Sequence, residues 1–148
     1  MSEKKLESII RDFVEAYGRR DVEKTLSFLT EDVVWVAPEG TFKGKEEVRR
    51  VFTWETQIAP DLKLRETGIG ILVKGNKAVY EHVFDSVSSD GRKCHDITGV
   101  GVFEFKDEKI QQRRLLYDRL AVNKQMAKGW LEKRIINTVI KRGEKGLH

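Results

Sequence analysis

The amino-acid sequence predicts an α+β fold: a strongly curved antiparallel sheet packed on N-terminal helices, with a helix added at the C-terminus. Three features carry this expectation. Apolar residues recur at helical spacing up to residue 58, four strand-like runs follow residue 62, and Gly75-Asn76, Asp90-Gly91 and Asp107-Glu108 separate those runs as turns. Residues 97–118 form the hairpin on which the rest is hung. Val100, Val102 and Phe103 are β-formers, Leu115, Leu116 and Tyr117 supply apolar weight opposite, and Gly99 and Gly101 remove side chains from one face. Those glycines fit either a bend in the sheet or a ligand-sized hollow above it.

In chain order, Leu6, Ile9, Ile10, Phe13, Val14 and Tyr17 have the spacing of an amphipathic helix over residues 4–18, ending at a Gly18 cap. Asp21 is placed as the N-cap of a short second helix, with Val22, Leu26 and Leu29 on its apolar side and its end near Thr30. Val33 to Ala37 reads as a strand closed by Pro38, and a Glu39-Gly40 turn leads into the short Thr41-Phe42 extension. A third helix is expected from Lys45 to Ile58, with Val48, Val51, Phe52 and Glu55 marking its spacing and Pro60 its stop. The four strands then form a meander over residues 62–73, 78–88, 93–105 and 109–122. From Lys124 onward, Met126, Trp130, Leu131, Ile135, Ile136, Val139 and Ile140 alternate with lysines and arginines as one basic amphipathic helix. Residues 1–123 are therefore expected as the domain proper and 124–148 as its helical tail. The tail could pack on its own domain or a dimer mate, close a pocket, or meet an acidic partner or membrane surface.

A chain of 148 residues buries enough surface for one domain without covalent staples. Cys94 is the only cysteine, which excludes an intrachain disulfide framework and favours a spectator thiol over a nucleophile. No signal peptide or membrane span is visible, so a cytoplasmic protein is expected. The net charge of +4 is uneven: seven Lys/Arg against two Glu from residue 124 onward account for +5, leaving residues 1–123 at −1. A near-neutral body without interleaved basic and aromatic residues argues against specific nucleic-acid recognition.

The run FVEAYGRRDVEKTLSFLTEDVVWVAPEGTFKGKEEVRRVF, followed by GVFEFKDEKI and the YD of the last strand, resembles the nuclear transport factor 2-like superfamily, in its SnoaL-like polyketide cyclase and steroid-isomerase branch. The resemblance spans about residues 4–123. It implies a cone-like curved sheet, a cystatin-like α+β barrel, with a deep pocket between the helices and the concave sheet face, and dimerisation through the opposite face. It does not imply one function, because members include isomerases, cyclases, epoxide hydrolases, dehydratases and non-catalytic binders. The Asp base, Tyr and protonated Asp of ketosteroid isomerases correspond to Ala37, Phe13 and Gly101, so that mechanism is missing. Of the epoxide hydrolase Asp-Arg-Asp triad, Asp85 matches, but Val83 and Leu115 stand at the other two places.

Three-residue loops ending in Gly91 and Glu108 would set Asp85 opposite His95, Val83 opposite Ile97, Glu81 opposite Gly99, Gly101 opposite Arg113 and Gly99 opposite Leu115. All would share the pocket face with Phe103 and Tyr117, and a slip of one residue would reverse every assignment. Asp85 and His95, with Cβ atoms about 5 Å apart, are then an acid-base pair or a turn-stabilising one. Glu81 stands roughly 13 Å along the strand, too far for a carboxylate dyad. The catalytic candidates are thus Asp85, His95 and Tyr117. The ligand-binding candidates are Phe13, Trp35, Trp54, Glu81, Val83, Gly101, Phe103, Arg113 and Leu115. With three histidines and no metal-ligand spacing, neither metal nor cofactor is expected.

Tyr80, His82, Phe84, Thr98, Val100, Val102 and Leu116 would gather on the opposite face as a homodimer surface. The function expected is binding of a small hydrophobic, oxygenated molecule. It is either turned over by cofactor-free acid-base chemistry or simply held.

Overall fold

The computed structural model describes residues 2–147. The first helix, α1 (Glu3–Gly18), is capped by the Ser2 hydroxyl, which accepts from the Lys5 N–H at 3.3 Å, and it buries Leu6, Ile9, Ile10, Phe13 and Tyr17. The left-handed residue at its end is Arg20, with φ 60°, and not the expected Gly18. A non-glycine residue there carries a cost of ~1–2 kcal/mol. Two bonds from its guanidinium to the Ala59 carbonyl, at 3.1 and 2.8 Å, hold it in place.

Helix α2 (Val22–Ser27) follows the Asp21 cap and is shorter than expected, because strand β1 (Leu29–Ala37) begins at Leu29 to run parallel to the last strand. Strand β2 (Gly40–Lys43), helix α3 (Lys45–Ile58) and strands β3 (Asp61–Lys74), β4 (Lys77–Val87), β5 (Lys93–Lys106) and β6 (Lys109–Tyr117) complete a six-stranded sheet in the order β2-β1-β6-β5-β4-β3. The sheet keeps two free edges and is not closed into a barrel. Helices α1 and α3 cover one face, where Phe13, Trp35, Phe52 and Phe103 form the centre of the core.

Strand register decides the site. At the β4–β5 tip the three-residue loop forms as the sequence indicates, with Gly91 at φ 83° and Ser86 paired with Cys94. Beyond it β5 carries an extra residue, because Asp96 adopts φ 53° and donates its N–H to Asp85 Oδ1 at 2.9 Å. This bulge shifts the pairing by one, to Phe84–Ile97 and His82–Gly99. The expected register is therefore corrected: Glu81, Val83 and Asp85 turn to the outer face, and Tyr80, His82 and Phe84 turn inward. The β5–β6 turn has two residues, with Asp107 and not Glu108 in the left-handed region, since a short Asp tolerates φ 54° better than Glu. That turn shifts the pairing by one residue, and an irregularity between Glu104 and Phe105 shifts it by one more, so Phe103–Arg113, Gly101–Leu115 and Gly99–Tyr117 lie two residues from those expected and keep the expected face.

Strand β6 ends at Tyr117, short of the expected Val122, because Asp118 caps a helix by accepting from Ala121 N–H at 2.9 Å. The tail is accordingly two helices, α4 (Arg119–Met126) and α5 (Gly129–Gly143), joined at Gly129 with φ 71°. Helix α5 is tethered at its start by Arg92 to Glu132 at 3.1 Å and leaves Trp130, Ile135 and Val139 exposed. No helix among the described residues is long and apolar enough to cross a membrane.

Candidate functional site

Between α3, α4 and the inner face of the sheet lies a cavity of about 280 Å³. Leu62, Leu64, Phe84, Leu115 and Val122 make its apolar wall, and Tyr17, Arg20, Glu39, Glu55, His82, Arg113 and Tyr117 bring polar groups to it. Of the residues singled out in the sequence, Trp54, Arg113, Leu115 and Tyr117 line this cavity. Phe13, Trp35 and Phe103 lie beneath it as fully buried core, packed around Arg113, while Gly101 is buried in β5 beside Phe103.

Glu81, Val83, Asp85 and His95 do not reach the cavity, a correction that follows from the bulge. Glu81 accepts from the Ile69 N–H at 2.9 Å on the outer side. Asp85 and His95 do meet, at 4.0 Å, but Arg65 holds the carboxylate at 2.6 Å and His95 is 62% exposed. That Arg65 bond and the Asp96 N–H hold Asp85 well down, at about 2. Helix α4 locks the bulge, since Gln125 accepts from the His95 N–H at 2.7 Å and donates to the His95 carbonyl at 3.0 Å.

Two tyrosine–carboxylate pairs face the cavity. The Tyr17 hydroxyl donates to Glu55 Oε2 at 2.8 Å, and the Tyr117 hydroxyl donates to Glu39. Burial pushes the Glu55 carboxyl above the usual carboxylate range, against the opposing effects of Tyr17 and Arg20. Burial likewise raises both tyrosines, so they act as hydrogen-bond donors at neutral pH. His82 stacks on Tyr80 with centroids 4.6 Å apart, and burial followed by nearby Arg113 lowers it to about 4, leaving a neutral imidazole.

Arg113 is 3% exposed, with its guanidinium 4.3 Å from the Trp35 ring centroid and 5.4–5.6 Å from those of Phe13, Tyr17 and Phe103. Burial pushes its pKa down, while Tyr17 and Glu55 favour the charge.

The glycines of β5 make room for these groups. A Cβ on Gly99 would lie 2.6 Å from His82 Nε2, and the ring is pinned by its stack on Tyr80. Gly99→Ala is therefore expected to cost ~1–3 kcal/mol as overpacking, read as a lower urea midpoint at unchanged slope. An unchanged midpoint would show that the imidazole is free to move.

Sequence reasoning missed Tyr17, Arg20, Glu39, Glu55, His82 and Phe84 as cavity residues. One signal was present: Glu55 falls on the apolar spacing of α3, where an unpaired carboxylate has no reason to be. The remaining histidine, His148, lies outside the described residues.

Helices laid on one face of a curved sheet around such a cavity define the NTF2-like class of α+β proteins. An NTF2-like protein of unknown function from Burkholderia pseudomallei K96243 superposes with a TM-score of 0.75 at 20% identity, covering 86% of this chain and 100% of its own. A protein from Jannaschia sp. CCS1 assigned as a SnoaL-like polyketide cyclase gives 0.75 at 14% identity, covering 86% and 95%. TerC co-crystallised with polyporic acid gives 0.72 at 19%, covering 82% and 98%. At these identities the likeness is one of fold. The chain belongs to the SnoaL-like domain family, whose pattern it matches over residues 10–113. No curated protein matches its sequence.

Proposed function

We propose that the chain binds a small apolar, oxygen-bearing molecule in this cavity and acts on it by cofactor-free acid-base chemistry of the isomerase, cyclase or hydrolase type. The observation that supports the chemical step is Glu55. A buried carboxyl whose pKa burial raises, bonded to a tyrosine hydroxyl beside an apolar cavity, is a candidate to take and return a proton. Tyr17 and Tyr117 each spend their one O–H on a carboxylate, so toward a ligand hydroxyl they present acceptor oxygens. A bicyclic ketone such as 2-tetralone, incubated in D₂O, tests this by NMR. Exchange α to the carbonyl should run faster than in buffer and drop ~10²–10⁴-fold in Glu55→Gln. Binding without acceleration would make the protein a carrier of its ligand and not an enzyme. Polyporic acid, the partner of TerC in its crystals, is a second probe for binding.

The outer face of the sheet supports homodimerisation. The bulge leaves Val79, Val83, Val100 and Val102 half-buried there and Leu116 63% exposed, and no element among the described residues covers them. The protein should sediment as a dimer at micromolar concentration, and Val100→Glu should shift it to monomer by placing an unpaired charge in the interface. A monomeric wild type removes this reading.

A further inference from the structure

Helix α5 carries an apolar side that the domain leaves open. Leu131, Ile135 and Val139 repeat at every fourth residue along it and stand more than half exposed, and Trp130 at its start is more open still. Ile136 and Ile140 flank that strip and are half-buried, while Lys133, Arg134, Asn137 and Lys141 occupy the other side. The beginning of the helix is tied to the body by Arg92 to Glu132 and by Lys128 Nζ to the Asp90 carbonyl, both at 3.1 Å. From residue 124 onward seven Lys/Arg stand against two Glu. A run of exposed apolar side chains edged by one sign of charge marks a surface that meets something else.

The occupant must offer an apolar interior and negative charge together. A second copy of the chain lacks the charge, since its tail carries the same +5 and its residues 1–123 sum to −1. A protein groove that wraps a helix needs it free on all sides, whereas α5 is tethered and half-buried on one. A plane needs one side alone. The 15 residues of α5 span about 22 Å, short of the ~30 Å hydrocarbon core of a bilayer, so the helix would lie along that plane and not cross it. Leu131, Ile135 and Val139 would enter the acyl boundary, and the lysines and arginines would reach the headgroups on their long stems. We infer that α5 docks the protein reversibly on an anionic membrane surface. The inference is independent of what the cavity binds.

The test sediments the full chain with vesicles of phosphatidylcholine alone and of phosphatidylcholine mixed with phosphatidylserine. Wild type should prefer the anionic vesicles by ~10-fold or more and lose most of that preference in high salt. Ile135→Asp puts a charge on the exposed strip and should release the protein at unchanged Tm. Lys141→Glu, a charge reversal on the exposed side, should weaken binding by ~10–30-fold. Trp130 emission reads the same contact without altering the strip: it should move to the blue on anionic vesicles in wild type, and Trp130→Phe should remove that shift. No binding to anionic vesicles, equal binding to neutral ones, or binding that Ile135→Asp leaves intact overturns the inference. Equally tight binding to soluble polyglutamate would make the partner an acidic polypeptide, and a vesicle-free dimer that Ile135→Asp dissociates would make it a second copy; either result also overturns it.

Discussion

Acidification from pH 6.5 to 4 is expected to remove about 3 kcal/mol of stability through His82 alone. The imidazole is 2% exposed, stacked on Tyr80 and close to the Arg113 charge, so the folded state resists its protonation. Its folded pKa of about 4 lies below the ordinary 6.5, so the unfolded chain binds the proton first. The contribution is thus complete above pH 6.5, declines between there and pH 4, and is constant below. Glu55 acts in the opposite sense. Its raised folded pKa means that the folded state binds protons more readily, so its contribution weakens as pH rises above the ordinary carboxylate value. Asp85 and Asp90, both held at about 2, lose their contributions only below pH 3.8. Urea unfolding of wild type and His82→Gln across this range isolates the histidine, because the other groups cancel in the difference. A flat difference curve would mean that His82 is solvated in the folded protein.

Arg113→Met is expected to stabilise the protein by ~1–3 kcal/mol, because it removes a buried cation two of whose donors have no partner among the described residues. Methionine reaches the same space and packs its sulfur against Trp35 and Phe103 without the desolvation that pushes the arginine pKa down. For a chain of 148 residues this is roughly 2–4 °C in Tm per kcal/mol. Arg113→Ala is not equivalent, since it leaves a hole among four rings. A lower Tm for Arg113→Met would show that attraction to the ring faces outweighs desolvation. The arginine would then be a structural keystone. A higher Tm would identify a buried charge retained against the interest of stability.

Helix periodicity made α1 and α3 legible, because a stripe such as Leu6, Ile10, Phe13 and Tyr17 has one way to be buried. The meander of the last four strands and the Gly91 turn were legible too, since turn chemistry is local, whereas the parallel pairing of β1 with β6 was not. The same local logic placed Arg113, Leu115 and Tyr117 on the inner face, where an error of two residues does no harm. It failed on β4, where an error of one residue exchanges the faces. The decisive event there is the left-handed Asp96, held by the Asp85 carboxylate on the neighbouring strand and locked through His95 by Gln125 of α4. No short-range pattern in the sequence marks that position. Only the folded molecule brings those groups together, and in doing so it turns Asp85 out to Arg65, turns His82 in over Gly99, and lets Glu55 and Tyr17 meet from helices 38 residues apart. Sequence therefore determined the elements up to β6 and where most of the core lies. Tertiary packing decided which face of β4 lines the cavity, and with it the chemistry that the cavity holds.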